Sequence, residues 1–160
     1  MTTKADFTDE EWARLGRSPL VAGMAITIAD PGGPIEALKE TSAALKTVID
    51  AAQSGKHGEF VQAVAADVAA KAQQRQNPLA GFKPKGTQAS AEVIDELRKV
   101  NQLLVEKTTP EETEQFRGWL KEASQQTALA AKEGGFLGFR AVRVSEGEQE
   151  MLDRLAEVFS

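Results

Sequence analysis

Six carboxylates stand near the places where helices meet loops: Asp30, Glu36, Glu40, Glu133, Glu146 and Glu148. Acids converging from two loops suit a hard cation, because Ca²⁺ and Mg²⁺ take oxygen ligands. Asp30, Glu36, Glu133 and Glu146 form the ligand set of this reading. The chain has no D-x-D-x-D-G loop, so the chemistry is not that of an EF-hand. A plainer use of the same acids is to complement a helix dipole and complete caps, Glu148 foremost. Metal-assisted or acid–base hydrolysis by Asp30, Glu133 and Glu146 requires them in one concave pocket, with at least one pKa shifted by burial.

The segment Gly134-Gly-Phe-Leu-Gly-Phe139 offers a second chemistry. Glycines ahead of a helix can bring backbone N–H groups close to a phosphate, but neither the Walker nor the dinucleotide fingerprint is present. Phe136, Leu137 and Phe139 are either tucked into a core or exposed together as a partner-binding or self-association patch. His57, the only histidine, lies in Gly55-Lys-His-Gly58 and reads as an exposed turn residue rather than a general base. Its replacement by alanine is expected to leave stability unchanged. Lys71, Arg75, Lys83 and Lys85 share an acid-free window, read as a solvated helix end and linker. Trp12 and Trp119 read as packing residues.

The surrounding chain must position these groups. Its 160 residues are 41% hydrophobic and 27% charged, enough for one domain with a real core. Alanine favours helix, and the shortage of aromatic residues argues against a β-sandwich. The formal charge of −5 disfavours nucleic acid and anionic lipid. Without cysteine there is no disulfide, thiolate nucleophile or cysteine-ligated zinc. The first residues lack the apolar run of a signal peptide, and the longest apolar stretch, residues 20–29, is about half a membrane span. A cytoplasmic protein without a membrane span is expected.

Periodicity predicts an all-α fold of about seven helices in one bundle-like domain. Thr8–Glu11, Thr109–Glu112 and Ser145–Glu148 each match a capping box, and Ser90 is the expected cap of another helix. Gly16 is expected to end a short first helix, with Ser18-Pro19 opening a second, apolar, central one. Leu38 and Val105 fall on core faces by spacing, and the segment Phe136–Val144, where Val142 and Val144 alternate with arginines, hints at a short extended piece. The stretch 76–88, with two prolines and two glycines, reads as a surface loop or hinge between two halves.

The halves show some likeness: Ala25–Gly33 and Ala128–Gly135 each end a helix in an acid followed by glycines. With Ala22-Gly-Met-Ala25, Phe136–Phe139 and Val144–Glu148, these words resemble a group of small uncharacterised bacterial helical proteins. More distantly they resemble the tellurite-resistance TerB-like helical domain. That resemblance implies two facing helix–acidic-loop–helix units with acids implicated in binding divalent cations. The chain departs from the pattern, with Asp30-Pro31 and Glu133-Gly134 where Asp-Gly is expected. The resulting expectation is a noncatalytic binding or stress-associated protein working through its acidic and Gly-rich loops. A TerB-like Ca²⁺ or Mg²⁺ site and a metal-assisted hydrolase are the alternatives.

Overall fold

The computed structural model describes residues 1–30, 34–133 and 144–160, apart from the side chains of 34–36 and 131–133. Six α-helices pack together among the described residues: α1 (Asp9–Ala29), α2 (Pro34–Ser54), α3 (Gly58–Gln73), α4 (Ala89–Lys107), α5 (Pro110–Glu133) and α6 (Glu146–Val158). Short 3₁₀ turns at Lys4–Asp6 and Gly86–Gln88 precede α1 and α4, and the described residues include no strand. The extended piece anticipated near residue 140 lies outside them, apart from Val144.

All three anticipated capping boxes form. Thr8, Thr109 and Ser145 each accept from the backbone N–H three residues on, at 3.2 Å. Glu11, Glu112 and Glu148 accept in return from the cap N–H groups at 2.8–3.0 Å. Ser90 is not a cap. The Gly86–Gln88 turn runs directly into α4, whose N-cap is Gln88.

Six helices replace the expected seven because α1 runs unbroken through Gly16 and Pro19. Pro19 lacks the N–H that would donate to the Leu15 carbonyl four residues back. The Ser18 hydroxyl donates to that same carbonyl at 2.6 Å, so the acceptor is satisfied and the helix continues. Gly16 is there for space rather than as a stop: a Cβ would meet Val68 at 3.0 Å.

Helix α1 contacts all five other helices, and Leu15, Val21, Ala22, Ala25 and Ile26 are completely buried along it. At Gly23 a Cβ would lie 2.9 Å from Thr127 Oγ1 and 3.0 Å from Ala44 Cβ, so α2 and α5 close on α1 there. This tight crossing explains why α2 turns Glu40, Ala44, Thr47, Val48 and Ala51 inward. Leu38, assigned to the core by spacing, is 68% exposed; Val105 on α4 is likewise 60% exposed.

An aromatic chain, Phe7–Trp12–Phe60–Phe116–Trp119, ties the N-terminal segment to α1, α3 and α5 with successive ring centroids 5.2–6.2 Å apart. Both indole N–H groups are satisfied, Trp12 by Asp67 at 3.1 Å and Trp119 by the Thr47 carbonyl at 3.3 Å. The stretch following α3 is fastened to the bundle. Leu79 and Phe82 pack against the core, and buried Arg17 reaches the Ala80 carbonyl at 3.4 Å. Arg17 also binds Glu96 of α4 through Nε (3.1 Å) and Nη2 (2.8 Å).

Candidate functional site: a cavity between α1, α2 and the loop after α3

Parts of α1 and α2 around the Gly23–Ala44 crossing and residues 77–79 face one hollow. They enclose a cavity of about 260 Å³. Leu20 and Met24 of α1, Ala44 and Leu45 of α2, and Leu79 of the loop give it an apolar lining. Methionine adds a flexible, adaptable wall. The volume is just below the ~300–1,000 Å³ of drug-sized sites, so an occupant of a few heavy atoms fits.

Among the described residues Glu40 is the one ionisable residue in this lining, and it is only 2% exposed. The Thr27 hydroxyl donates to its carboxylate across the α1–α2 gap. Burying a carboxylate costs several kcal/mol in general, which hydrogen bonds must offset. In sequence Glu40 belongs with the loop-end acids, whereas the fold places it on the cavity wall. The signal that could have found it is its position in the stripe Ala37, Glu40, Ala44, Val48, Ala51, an acid among small apolar residues at helical spacing.

The anticipated metal ligands fall as follows. Asp30 is the half-buried C-cap of α1, its N–H donating to the Ile26 carbonyl at 3.3 Å. Glu146 is exposed in the first turn of α6. Glu36 and Glu133 lie in the first turn of α2 and at the end of α5, with side chains outside the described residues. Phe136, Leu137 and Phe139 also lie outside the described residues. The chain segments of Asp30 and Glu146 do meet: a Cβ at Gly147 would stand 2.7 Å from the Ala29 carbonyl oxygen. Among the described residues no group of three or more His, Cys, Asp or Glu side chains could hold a metal ion. Glu148 is buried at 1% exposure and serves its cap.

His57 is a correction. Its side chain is 18% exposed, and Nε2 lies 2.5 Å from Glu122 Oε2 on α5, with Lys56 pairing to the other oxygen. Burial alone raises the Glu122 pKa, but hydrogen bonds and charge from Lys56 and His57 outweigh it and hold the carboxyl below its ordinary value. This supplies a base and an orienting acid. Among the described hydrogen bonds no nucleophile hydroxyl reaches the ring, and the pair joins the α2–α3 turn to α5. In the basic window Lys71 pairs with Asp67 at 3.3 Å. Among the described residues no helix is long and apolar enough to cross a membrane.

Comparison with known proteins finds no matching family model, no matching curated protein and no matching solved structure, so the TerB-like resemblance gains no support there.

Proposed function

We propose that this chain is a noncatalytic helical binding protein that holds a small, largely apolar molecule between α1, α2 and residues 77–79. One observation carries the reading: a cavity whose described lining is mostly apolar includes the carboxylate of Glu40, buried at 2% exposure and hydrogen-bonded to Thr27. Ligand sites commonly combine an apolar lining with a few placed polar groups, and buried carboxylates gather at functional sites. The test is saturation-transfer NMR with 1-hexanol as probe, comparing the native chain with Thr41→Trp. Thr41 is exposed in the cavity lining, so the indole fills the entrance without entering the core. Saturable binding that Thr41→Trp abolishes supports the cavity; binding that is absent, or unchanged by Thr41→Trp, removes it.

A second reading is a divalent-cation site at the loop end, favoured by the close approach of Gly147 to Ala29. It makes Asp30, Glu36, Glu133 and Glu146 ligands for Ca²⁺ or Mg²⁺. Chelator-treated protein is melted with and without millimolar Ca²⁺, Mg²⁺ or Mn²⁺. A ligand at a hundredfold excess over its Kd adds about 2.7 kcal/mol to the native state. A rise in Tm that Asp30→Asn with Glu146→Gln removes supports the site, and no shift with any of the three cations dismisses it.

A further inference from the structure

Resting on the cavity reading above, we infer that residues 77–84 act as a clasp: they undock from the bundle as a unit, and a molecule in the cavity keeps them docked. The flanking helices are closed off independently of this segment. Helix α3 ends in a Schellman motif, the Gln76 N–H donating to the Lys71 carbonyl at 2.9 Å and the Arg75 N–H to the Ala72 carbonyl at 3.0 Å. Arg75 takes the left-handed position of that motif, at φ 57°. At the other end Gly86 is left-handed at φ 60°, and the Lys85 N–H donates to Glu92 of α4 at 2.9 Å. The residues between these two ends can therefore lift away without unwinding α3 or α4.

Little holds the clasp down. None of residues 77–84 is fully buried, whereas the flanking helices bury Val68 and Val93. Its anchors are two partly buried side chains, Leu79 and Phe82, packed against the core. Its own turns take up most of its hydrogen bonds. The Ala80 N–H donates to the Asn77 carbonyl at 3.1 Å, the Phe82 N–H to the Leu79 carbonyl at 3.0 Å, and the Leu79 N–H to Asn77 Oδ1 at 3.0 Å. Among the described residues one hydrogen bond joins it to another element, from Arg17 Nη1 to the Ala80 carbonyl at 3.4 Å. Few buried apolar groups and an exposed backbone mark a segment that opens locally. Asn77 and Pro78 also line a second hollow, against Ala13, Gly16 and Arg17, so the clasp has open space on two sides. Leu79 forms part of the cavity wall, so a molecule there touches the docked clasp and loses that contact when it opens. A ligand that favours one state shifts the population toward it.

The experiment follows chymotrypsin cleavage of the folded native chain by mass spectrometry and reads the Phe82–Lys83 bond. The protease must take the Phe82 side chain, which packs against the core while the clasp is docked. Where opening is fast relative to cutting, the cleavage rate tracks the open fraction. 1-Hexanol at a tenfold excess over its Kd is therefore expected to slow this cut about tenfold, and to leave it unchanged in Thr41→Trp. Gly81→Ala, outside the cavity lining, is expected to speed the cut roughly tenfold. Alanine resists the left-handed backbone there (φ 89°), and its Cβ would stand 3.3 Å from Arg17 Nη1. If the native Phe82–Lys83 bond is cut no sooner than the bonds after buried Phe60 and Phe116, the segment does not open as a unit and the inference is overturned. It is also overturned if 1-hexanol binds saturably and Thr41→Trp blocks it, yet the cut is not slowed; the cavity reading then stands. Equal slowing in the native chain and Thr41→Trp places the effect on the protease and overturns the coupling. If 1-hexanol does not bind saturably, the cavity reading itself fails and takes the inference with it. The native chain and Thr41→Trp decide between these outcomes even if Gly81→Ala does not fold by circular dichroism.

Discussion

His57 Nε2 lies 2.5 Å from Glu122 Oε2, a contact between residues 65 apart in the chain. It fastens the turn between α2 and α3 to the middle of α5, with Lys56 on the other carboxylate oxygen. Both partners are more than two-thirds buried, so solvent screens the pair less than an exposed one. His57→Ala is expected to cost about 1 kcal/mol of unfolding free energy by urea titration. An unchanged midpoint would return His57 to the role of an exposed turn residue.

Ser18 compensates for Pro19, and that makes the two residues thermodynamically coupled. Ser18→Ala leaves the buried Leu15 carbonyl without its 2.6 Å donor and is expected to cost about 1–3 kcal/mol. Pro19→Ala restores a backbone donor to the same carbonyl, so Ser18→Ala should cost much less in that background. A double-mutant cycle reads this directly. Additive effects would mean that the hydroxyl does not stand in for the missing N–H.

Helix α6 seats its first turn against the end of α1 through Gly147. Alanine is the better helix former by about 1 kcal/mol, so propensity alone predicts that Gly147→Ala stabilises the chain. The structure predicts the reverse. The new Cβ would sit 2.7 Å from the Ala29 carbonyl, which is backbone and cannot swing aside. A net loss of about 1–3 kcal/mol is expected, as for other overpacked sites. A gain in Tm would show that α6 is not held at this distance.

Glu112 carries the pH dependence with the clearest sign. Burial would raise its pKa, yet hydrogen bonds from Thr2 and Thr109 outweigh burial and lower it from 4.5 to about 2. Thr2 donates through its N–H (2.9 Å) and hydroxyl (2.5 Å), and the Thr109 N–H donates at 3.0 Å. A depressed carboxyl pKa adds stability that is fully present above the unfolded value. That stability is lost as pH falls from about 4.5 toward 2. Glu112→Gln should therefore be less stable than the native chain at pH 6, with the gap closing as the solution is acidified. Equal gaps at pH 6 and pH 2.5, measured by denaturant titration, would dissociate this carboxylate from acid sensitivity.

The sequence by itself determined the features that depend on neighbours three or four residues away. The capping boxes at Thr8, Thr109 and Ser145 are pairs at i and i+3, so their residue types name their geometry. The helical class follows from periodicity for the same reason, and the apolar stretch of residues 20–29 marked a buried, central helix, though residues 27–29 prove only half-buried. Local rules failed where a local defect has a remedy or a tertiary cause. Gly16 and Pro19 read as a break, but the first is space for Val68 and the second is offset by Ser18.

What only the tertiary structure decided is which face of α2 turns inward and which acids meet which partners. Leu38 is more apolar than Glu40, yet the crossing at Gly23 admits the stripe carrying Ala44. That brings Glu40 inward and leaves Leu38 in solvent. The Thr27–Glu40 bond and the His57–Glu122 pair each join two different elements across 13 and 65 residues. No short-range spacing encodes such distances. They arise when helices approach closely enough for packing to offset the cost of burying a charge.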